Sequence, residues 1–357
     1  MRKSFTSTNH KNALIRAAAV VIIAAFVIIT QTGCGDKGTG GEPVTKSDFC
    51  LDTSCDISIY DITGREGEEI LDGAFKEIRQ YEKILSRTVS GSDVDKINKA
   101  SGKPVKVSED TYDVLELGLE IGRLSGGRFD ITVGRLTELW DFKSDDPKLP
   151  QQKEIDKALE TVGYENVKLT EGDTVTLADP DAEIDLGGIA KGYIADRVTE
   201  YLEQQGVERA IINLGGNVCV IGSKADDTPW NIGIERPYSD RTELIGSVKV
   251  SDATVVTSGI YERMFRKNGR TYHHVLDPET GYPAETDLEA VTITAKKGYS
   301  AYCDGLSTTC LMLGRDKATA LIEKLQKEKP EAGLEASFTD KDDKMTSTDG
   351  MKIEPVE

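Results

Sequence analysis

The order of the apolar patterns along the chain constrains the fold more than any other feature. Runs that alternate polar and apolar residues, as half-buried strands do, are mixed with runs at helical spacing, without the strict strand-helix-strand order of a parallel sheet. This order predicts an α+β fold with largely antiparallel sheets and packed helices. The strand patterns cover residues 56–62, 210–214, 230–234, 246–250, 253–256 and 290–294, and the helix patterns cover residues 68–85, 114–124, 188–202, 300–313 and 317–327. Weak alternation over residues 333–355 predicts a final hairpin.

The predicted domain organisation is simple. A chain of 357 residues can form one large domain or two ordinary ones, each with a substantial core. Neither a repeat at a fixed period nor a second linker divides it. We therefore expect a signal segment over residues 1–34, a flexible linker rich in Gly, Lys and Asp over residues 35–47, and a single extended domain over residues 48–355.

The N-terminal segment has the features of an export signal with a lipid-anchor site. A basic start precedes an uninterrupted apolar run over residues 17–29, which is short for a membrane span but suits the core of a signal peptide. Small residues before Cys34 resemble a bacterial lipoprotein signal, although Gln31 stands where Leu is usual. This predicts a lipid anchor at Cys34 and a location on the extracytoplasmic face of the cell membrane. An uncleaved anchor and plain secretion stay open, and both also place the domain outside the cytoplasmic membrane.

The charge of the chain limits the classes of partner. The 62 acidic residues outnumber the 44 basic ones, and the formal net charge is -18. A surface this acidic repels a phosphate backbone, so a broad nucleic-acid interface is excluded. A small phosphorylated ligand would need a metal ion or a local group of backbone N–H donors instead.

The cysteines do not predict a metal cluster. With Cys34 lipidated, an odd number remains, so intrachain pairing cannot be complete. Cys50 and Cys55 lack the spacing of a zinc site and have no histidine nearby, which favours buried apolar thiols. Their pairing cannot be read from the sequence. The remaining cysteines are Cys50, Cys55, Cys219, Cys303 and Cys310.

Common catalytic signatures are absent, and Gly-flanked polar clusters remain. The chain has no phosphate-binding loop, nucleophile elbow, His-Glu-x-x-His or Gly-x-Gly-x-x-Gly motif, which disfavours the common hydrolases and dinucleotide folds. The first cluster follows Gly126-Gly127 and includes Asp130 and Thr132. Strand alternation would place these two side chains on the same side, and an ordinary turn is the alternative.

Two further clusters surround paired glycines. Asp185 precedes Gly187-Gly188 and the start of a helix that carries Lys191, an arrangement that could bind a diphosphate through free N–H groups. A helix cap with a solvated lysine explains the same residues. The segment 213–217, Asn-Leu-Gly-Gly-Asn, follows a buried strand and is typical of a turn, although turns at strand ends also line ligand sites.

A fourth cluster contains the histidines. Tyr261, Glu262 and Arg263 precede the adjacent pair His273-His274, the only histidines after residue 34. Neighbours in an extended segment face opposite ways, so they are not expected to bind one metal ion together. The pKa of an ordinary histidine makes His274 a candidate general base, and a surface histidine pair is the alternative.

The fifth cluster could bind a hard cation. Asp304 and Thr308 are four residues apart, so on a helix their oxygens share a face. Mg²⁺ prefers carboxylate and other oxygen ligands and keeps positions for phosphate and water. A helix N-cap by Asp304 is the competing interpretation.

Taken together and in this order, the clusters resemble the ApbE-type FAD:protein FMN transferase family. The resemblance runs from Asp52-Thr53, through Leu85-Ser86 and Asn98, to Gly314. It implies a single ApbE-like domain in which a Thr or Ser hydroxyl of an acceptor protein attacks the FMN phosphorus of FAD. AMP then leaves and FMN stays on the acceptor. The lipoprotein-like N-terminus suits the family, whose exported members modify membrane redox subunits.

The resemblance also implies roles for particular residues. His274 matches the proposed catalytic base. Mg²⁺ would be held by Asp304, Thr308 and a backbone carbonyl from the turn between Gly188 and Ala190. The residues that match FAD contacts are Leu51, Phe129, Asp130, Ile131, Asp185, Lys191 and Leu276.

The chain departs from the family pattern at two places. Leu51-Asp52-Thr53 stands for Met-Gly-Thr, and Arg87 or Thr88 stands where the family often has an aromatic residue. Two other functions remain open at this stage. One is a metal-dependent FAD pyrophosphatase that uses water as the acceptor, and the other is a non-catalytic flavin-binding lipoprotein.

Overall fold

A single large sheet organises the protein. The computed structural model describes residues 42–239 and 243–356, all of which belong to one compact unit. The eight strands of the main sheet are β1 (Val44–Cys50), β2 (Thr53–Ile59), β6 (Ala210–Leu214), β7 (Asn217–Ile221), β10 (Ala253–Gly259), β13 (Leu288–Lys296), β14 (Glu335–Asp340) and β15 (Met345–Ser347), in that spatial order. Each neighbouring pair is antiparallel. The predicted α+β class with antiparallel sheets is confirmed.

Three small sheets and the helices complete the described part. The small sheets pair β3 (Val105–Lys106), β4 (Val167–Thr170) and β5 (Thr174–Leu177); β8 (Trp230–Glu235), β9 (Leu244–Val250) and β16 (Ile353–Glu354); and β11 (Met264–Lys267) with β12 (Arg270–His273). The helices are α1 (Gly64–Leu85), α2 (Asp93–Lys99), α3 (Glu109–Leu124), α4 (Gly134–Trp140), α5 (Gln152–Leu159), α6 (Ala190–Gln204), α7 (Ser300–Leu313) and α8 (Arg315–Glu328).

The main core lies between the sheet and the helices that pack on it. α1 has one apolar face, and buried residues such as Phe75 and Ile78 on this face join strand residues in the largest hydrophobic cluster. α7 is buried almost all round and contacts α6, β10 and β13. A helix at the centre of the molecule places its side chains in a dry environment, and this is where the candidate site forms.

Close contact between α6 and α7 depends on a glycine and on an aspartate. A Cβ at Gly192 would overlap the carbonyl of Ser300, so only glycine permits this approach. The carboxylate of Asp196 on α6 accepts hydrogen bonds from the backbone N–H groups of Ser300 (3.1 Å) and Ala301 (3.0 Å). Asp196 thereby satisfies two N–H groups that the first turn of α7 leaves unpaired.

The structure differs from the sequence-based expectations in three respects. β1 begins at Val44, so residues 44–47, assigned above to the linker, lie in the main sheet. Residues 128–132 form turns rather than the strand that the alternation of Asp130 and Thr132 suggested. The short helices α2, α4 and α5 and the small sheets β3–β5 and β11–β12 had no clear pattern in the sequence.

The predicted signal segment and Cys34 lie outside the described residues. Within residues 42–239 and 243–356, no helix combines the length and the apolar character needed to cross a bilayer.

Candidate active site

Asp304 lies at the contact between α6 and α7. It is the fifth residue of α7, so the interpretation as an N-cap of that helix is wrong. Its carboxylate, 1% exposed, instead accepts a hydrogen bond from the backbone N–H of Gly192 (2.9 Å) in the first turn of α6 and pairs with Lys191 Nζ (3.3 Å). The carboxylate therefore faces the positive end of α6, where negative charge is favoured.

The glycine turn before α6 lies against the same face of α7. A Cβ built on Gly188 would lie 3.8 Å from Thr308 Oγ1 and 3.0 Å from the ring of Phe129. The absence of a side chain at Gly188 thus lets the backbone of this turn approach both residues. The structure brings together the predicted residues of the metal set and one predicted FAD contact.

The carboxylate of Asp130 forms hydrogen bonds within its own turn and with the segment at Tyr164. Its carboxylate accepts hydrogen bonds from Thr132 N (2.7 Å) and Thr132 Oγ1 (2.6 Å), and its second oxygen accepts from Tyr164 N (2.8 Å). Burial raises the pKa of Asp130, and these hydrogen bonds oppose the shift. A ligand at this segment would consequently meet Phe129 and backbone groups rather than the Asp130 carboxylate.

Asp185 connects the glycine turn to two other segments. Its backbone N–H donates to Ile131 O (2.8 Å), which places the two predicted FAD contacts side by side. Its carboxylate accepts from Gly187 N (2.8 Å) and pairs with Arg87 Nε (3.2 Å). Arg87, one of the two residues that stand where the family often has an aromatic residue, thus brings a positive charge to this turn.

Lys191 stays charged in spite of its surroundings. Burial lowers its pKa, but the negative charges of Asp304 and Glu262 and the hydrogen bond to Asp304 outweigh burial, and the net shift is upward. A protonated lysine at the start of α6 adds to the positive end of that helix. The turn before α6 is therefore suited to an anionic ligand.

The two histidines have separate partners, as their adjacency predicted. His273 is buried and its Nε2 lies 3.2 Å from Ala284 O, whereas His274 Nδ1 lies 3.2 Å from Arg263 O. Because a carbonyl oxygen only accepts, Nδ1 of His274 carries the proton and Nε2 keeps its lone pair. Burial, the positive charge of Arg263, the adjacent ring of His273 and the positive charge of Lys191 lower the pKa of His274 to about 3. His274 is therefore a neutral imidazole.

Leu276 and Leu51, two further predicted FAD contacts, lie in separate loops. Leu276 is buried in an aromatic cluster with Trp140 and Tyr272, and Trp140 Nε1 donates to Gly281 O (2.8 Å), which fixes the turn after the histidines. Leu51 lies in the β1–β2 turn with a positive φ of 55°, and its N–H donates to Glu82 Oε1 (3.1 Å). The neighbouring carboxylate of Asp52 pairs with Lys143.

A cavity of about 590 Å³ opens at the C-terminal end of α7. Its lining includes Met312, one helical turn beyond Thr308, and Arg128, the neighbour of Phe129. Asp277 also lines the cavity and pairs with Arg128 (2.9 Å). The volume is in the range of small-molecule pockets.

The metal set fits a cation that keeps other ligands. No group of three or more His, Cys, Asp or Glu side chains arranged for a metal ion occurs among the described residues. Asp304, Thr308 and the backbone near Gly188 offer one carboxylate, one hydroxyl and carbonyl oxygens, a hard-donor set suited to Mg²⁺ completed by phosphate and water. Lys191 would have to move from, or share, the carboxylate of Asp304 when a cation binds.

Some functional contacts carried no sequence signal. Every residue except proline has a backbone N–H, so nothing in the sequence marked Gly192 as the donor to Asp304. The pair of Arg128 with Asp277 joins residues 149 positions apart. Only the fold determines which of many charged residues meet.

These features define a class of protein. One α+β domain contains hard oxygen donors, a charged lysine at the start of a helix and a neutral histidine. This combination is typical of an enzyme that transfers a group from a phosphorylated substrate.

Comparison with known proteins identifies the family. The model of the ApbE family matches residues 51–332. An FAD:protein FMN transferase of Treponema pallidum is 32% identical over 340 residues, covering 89% of this chain and 91% of that protein. One from Klebsiella pneumoniae is 37% identical over 257 residues, covering 71% and 79%. The chain therefore belongs to the ApbE family and is a transferase.

Solved structures agree with this assignment. The ApbE protein of Thermotoga maritima superposes with a TM-score of 0.77 at 32% identity, covering 86% of this chain and 97% of that one. The flavin transferase ApbE of Vibrio cholerae has a TM-score of 0.75 at 28% identity, covering 86% and 96%. The fold and the family recognised from the sequence are both confirmed.

Proposed function

We propose that the protein transfers FMN from FAD to a Thr or Ser hydroxyl of an acceptor membrane redox protein and releases AMP. The observation that carries the proposal is the contact of Asp304, Thr308, Gly188 and Lys191 at one place, in a chain whose relatives are named FAD:protein FMN transferases. The bonds exchanged are few. A bond from the acceptor oxygen to the FMN phosphorus forms, the bond from that phosphorus to the AMP phosphate oxygen breaks, and the hydroxyl proton is removed.

His274 is the residue proposed to take that proton. Its Nδ1 donates to Arg263 O, which orients the ring and leaves Nε2 as the acceptor. The low pKa keeps this nitrogen unprotonated at neutral pH. An FAD diphosphate close by would favour the imidazolium and so raise the basicity of the ring when substrate is bound.

Lys191 and the turn before α6 are proposed to hold the diphosphate. The ammonium group offers positive charge, and Gly187 and Gly188 let backbone approach the ligand. Mg²⁺, proposed to be held by Asp304, Thr308 and a carbonyl of residues 188–190, would neutralise diphosphate charge when bound. Phe129 and the cavity beside Met312 are proposed to pack against the ring systems of FAD.

The site of action is proposed from the N-terminal sequence. Lipidation of Cys34 would tether the domain to the extracytoplasmic face of the cell membrane, next to membrane redox subunits. Expression of the full chain and a Cys34→Ala variant with a radiolabelled fatty acid tests this. Label that persists in the variant would refute the anchor.

The test of the transfer reaction follows both products. The full chain in detergent is incubated with FAD, Mg²⁺ and a Thr-containing acceptor fragment, and intact mass and nucleotides are measured. We expect the acceptor to gain FMN while an equal amount of AMP appears. AMP with free FMN and an unmodified acceptor would favour the pyrophosphatase, and bound FAD without AMP would favour a flavin-binding protein.

A further inference from the structure

Arg263 is held beside the candidate base by its own backbone. Its carbonyl oxygen accepts two hydrogen bonds from His274, one from the backbone N–H (3.0 Å) and one from Nδ1 (3.2 Å). Arg263 follows β10, whose Ser258 is hydrogen-bonded to Ser307 of α7 (2.7 Å). The segment that carries Arg263 is therefore tied both to His274 and to the helix of Asp304 and Thr308.

Arg263 is a half-buried cation. Its side chain makes no hydrogen bond or ion pair with any residue in the ranges that the structure describes. Other arginines near the site differ, since Arg128 pairs with Asp277 and Glu279, and Arg87 pairs with Asp185. A partly desolvated charge is costly unless an anion compensates it.

The charge of Arg263 affects a carboxylate in the β1–β2 turn and the imidazole of His274. After the hydrogen bond and the charge of Lys143, Arg263 contributes to the lowered pKa of Asp52 in the β1–β2 turn. After burial, it is the largest cause of the lowered pKa of His274. The backbone of Arg263, bonded to His274 through its carbonyl, places this charge beside the imidazole.

Arg263 is better placed than Lys191 to meet an added anion. Lys191 is already paired with Asp304, so part of its positive charge is compensated within the protein. Arg263 offers N–H donors in a planar fork, the geometry that matches two oxygens of one phosphoryl group.

We propose that Arg263 binds non-bridging oxygens of the phosphoryl group that His274 helps to transfer. This inference rests on the proposed function and adds a catalytic residue to it. As the acceptor oxygen bonds to the FMN phosphorus and the AMP oxygen departs with its electron pair, negative charge spreads over the non-bridging oxygens. The proton of the acceptor hydroxyl goes to His274 Nε2. Guanidinium donors directed at those oxygens stabilise the charge in the transition state.

The first test measures binding and does not depend on transfer. Affinities of the full-length protein in detergent for FMN and for riboflavin, which lacks the phosphate, are compared in wild type, Arg263→Ala and Arg266→Ala. Arg266 is an exposed arginine three positions away and serves as the matched control. We expect Arg263→Ala to weaken FMN binding on the order of 10- to 100-fold and to leave riboflavin binding unchanged. Arg266→Ala should keep the wild-type preference for FMN.

Three binding results would overturn the proposal. The first is an equal loss of FMN and riboflavin binding in Arg263→Ala, which a purely structural role would produce. The second is an unchanged preference for FMN over riboflavin in that variant, and the third is the absence of this preference in wild type.

The second test is turnover with FAD and acceptor. There we expect a loss on the order of 10² to 10³ for Arg263→Ala with partial recovery in Arg263→Lys. If wild type itself transfers nothing, the proposed function fails, while the binding ratio still decides the role of Arg263.

Discussion

His274 owes its protonation state to its surroundings rather than to its residue type. An exposed histidine titrates near pH 6.5, but burial and the neighbouring charges, that of Arg263 first, lower the pKa of His274 to about 3. The Arg263 carbonyl selects the tautomer with a free Nε2. A residue that the sequence marks only as a histidine becomes, in this environment, a neutral and oriented proton acceptor.

Replacement of His274 should slow the reaction far more than it weakens substrate binding. We expect His274→Ala to reduce transfer turnover on the order of 10² to 10⁴, because the hydroxyl loses its base, with FAD affinity largely kept. Single-turnover kinetics and FAD titration measure the two effects. His273→Asn is the adjacent control, since His273 bonds to Ala284 O, and its loss should stay below about 10-fold. Parallel loss of rate and binding in His274→Ala would make it a positioning residue.

The pH dependence of kcat/KM should lack the usual histidine limb. The base works unprotonated, and a folded-state pKa of about 3 keeps it so in the free enzyme at all pH values above about 4. We expect kcat/KM to show no acid limb near pH 6.5. The acid limb of kcat should lie at higher pH than that of kcat/KM, because bound diphosphate favours the imidazolium. A limb in kcat/KM near pH 6.5 that disappears in His274→Gln would contradict this assignment.

At the scale of elements, α6 and α7 cap each other. Asp196 on α6 accepts from the first turn of α7, and Asp304 on α7 accepts from the first turn of α6. Gly192 allows the close approach that makes both contacts feasible. The pair of helices therefore holds the candidate metal ligand and Lys191 in a fixed relation.

Asp304 should combine a structural and a functional role. Asp304→Asn keeps an acceptor for Gly192 N–H but loses the negative charge, so we expect turnover to fall at least on the order of 10² while the fold persists. Asp304→Ala should lower the melting temperature further, because Gly192 N–H and Lys191 both lose a buried partner. Thermal melts and metal-dependent turnover of both variants separate the two roles. Wild-type turnover in Asp304→Asn would remove the metal assignment.

Asp196 should make stability depend on pH in a defined window. Burial raises its pKa from 3.8 to about 6, against the hydrogen bonds from α7. Between about pH 4 and 6 the folded state therefore keeps a proton that the unfolded state has released, and the contribution of Asp196 to stability falls as pH rises. Asp196→Asn removes this ionisation. Relative to wild type, its free energy of unfolding should rise by about 2 to 3 kcal/mol from pH 4 to 7.

Urea denaturation at several pH values measures the Asp196 effect. Glu323→Gln, a change at an exposed acidic position of α8, is the control and should show little pH-dependent difference from wild type. A pH-independent difference between Asp196→Asn and wild type would show that Asp196 titrates normally.

At the scale of the whole molecule, the antiparallel sheet joins distant parts of the chain. β1 and β2 from the start of the domain pair with β6, and the sheet ends with β14 and β15 near the C-terminus. Helices α1, α6 and α7 share the core with it. The site lies where α7, which packs on β10 and β13, meets the turn before α6.

The first strand should be required for a stable domain. β1 pairs with β2 along its whole length, and Val44 also contacts the backbone region of Gly67 on α1. We expect a chain starting at residue 42 to have a higher melting temperature than one starting at residue 48, which removes half of β1. A chain starting at residue 53 should aggregate, because it exposes the edge of β2. Thermal melts and size-exclusion chromatography compare the three, and equal stability would show that β1 adds nothing.

Periodicity predicted the long elements well and the short ones poorly. The helix expected over residues 300–313 matches α7, and the strand expected over residues 210–214 matches β6. Each long element buries a continuous apolar face, so its apolar residues recur at the period of a helix or a strand. Of the two interpretations of segment 128–132, the turn holds and the strand does not, because Asp130 bonds to its own backbone neighbours, a local competition that alternation does not reveal.

The class of fold, the family and the short polar motifs could be predicted from the sequence, because they depend on local spacing and on the order of residues along the chain. Tertiary structure decided what the motifs do together. Asp304 meets Gly192 and Lys191 across more than a hundred residues, and Arg263 is left without an ion-pair partner among the described residues beside His274. Hydrogen bonding, burial and charge act over a few ångströms in space, and a linear sequence does not state which residues come that close.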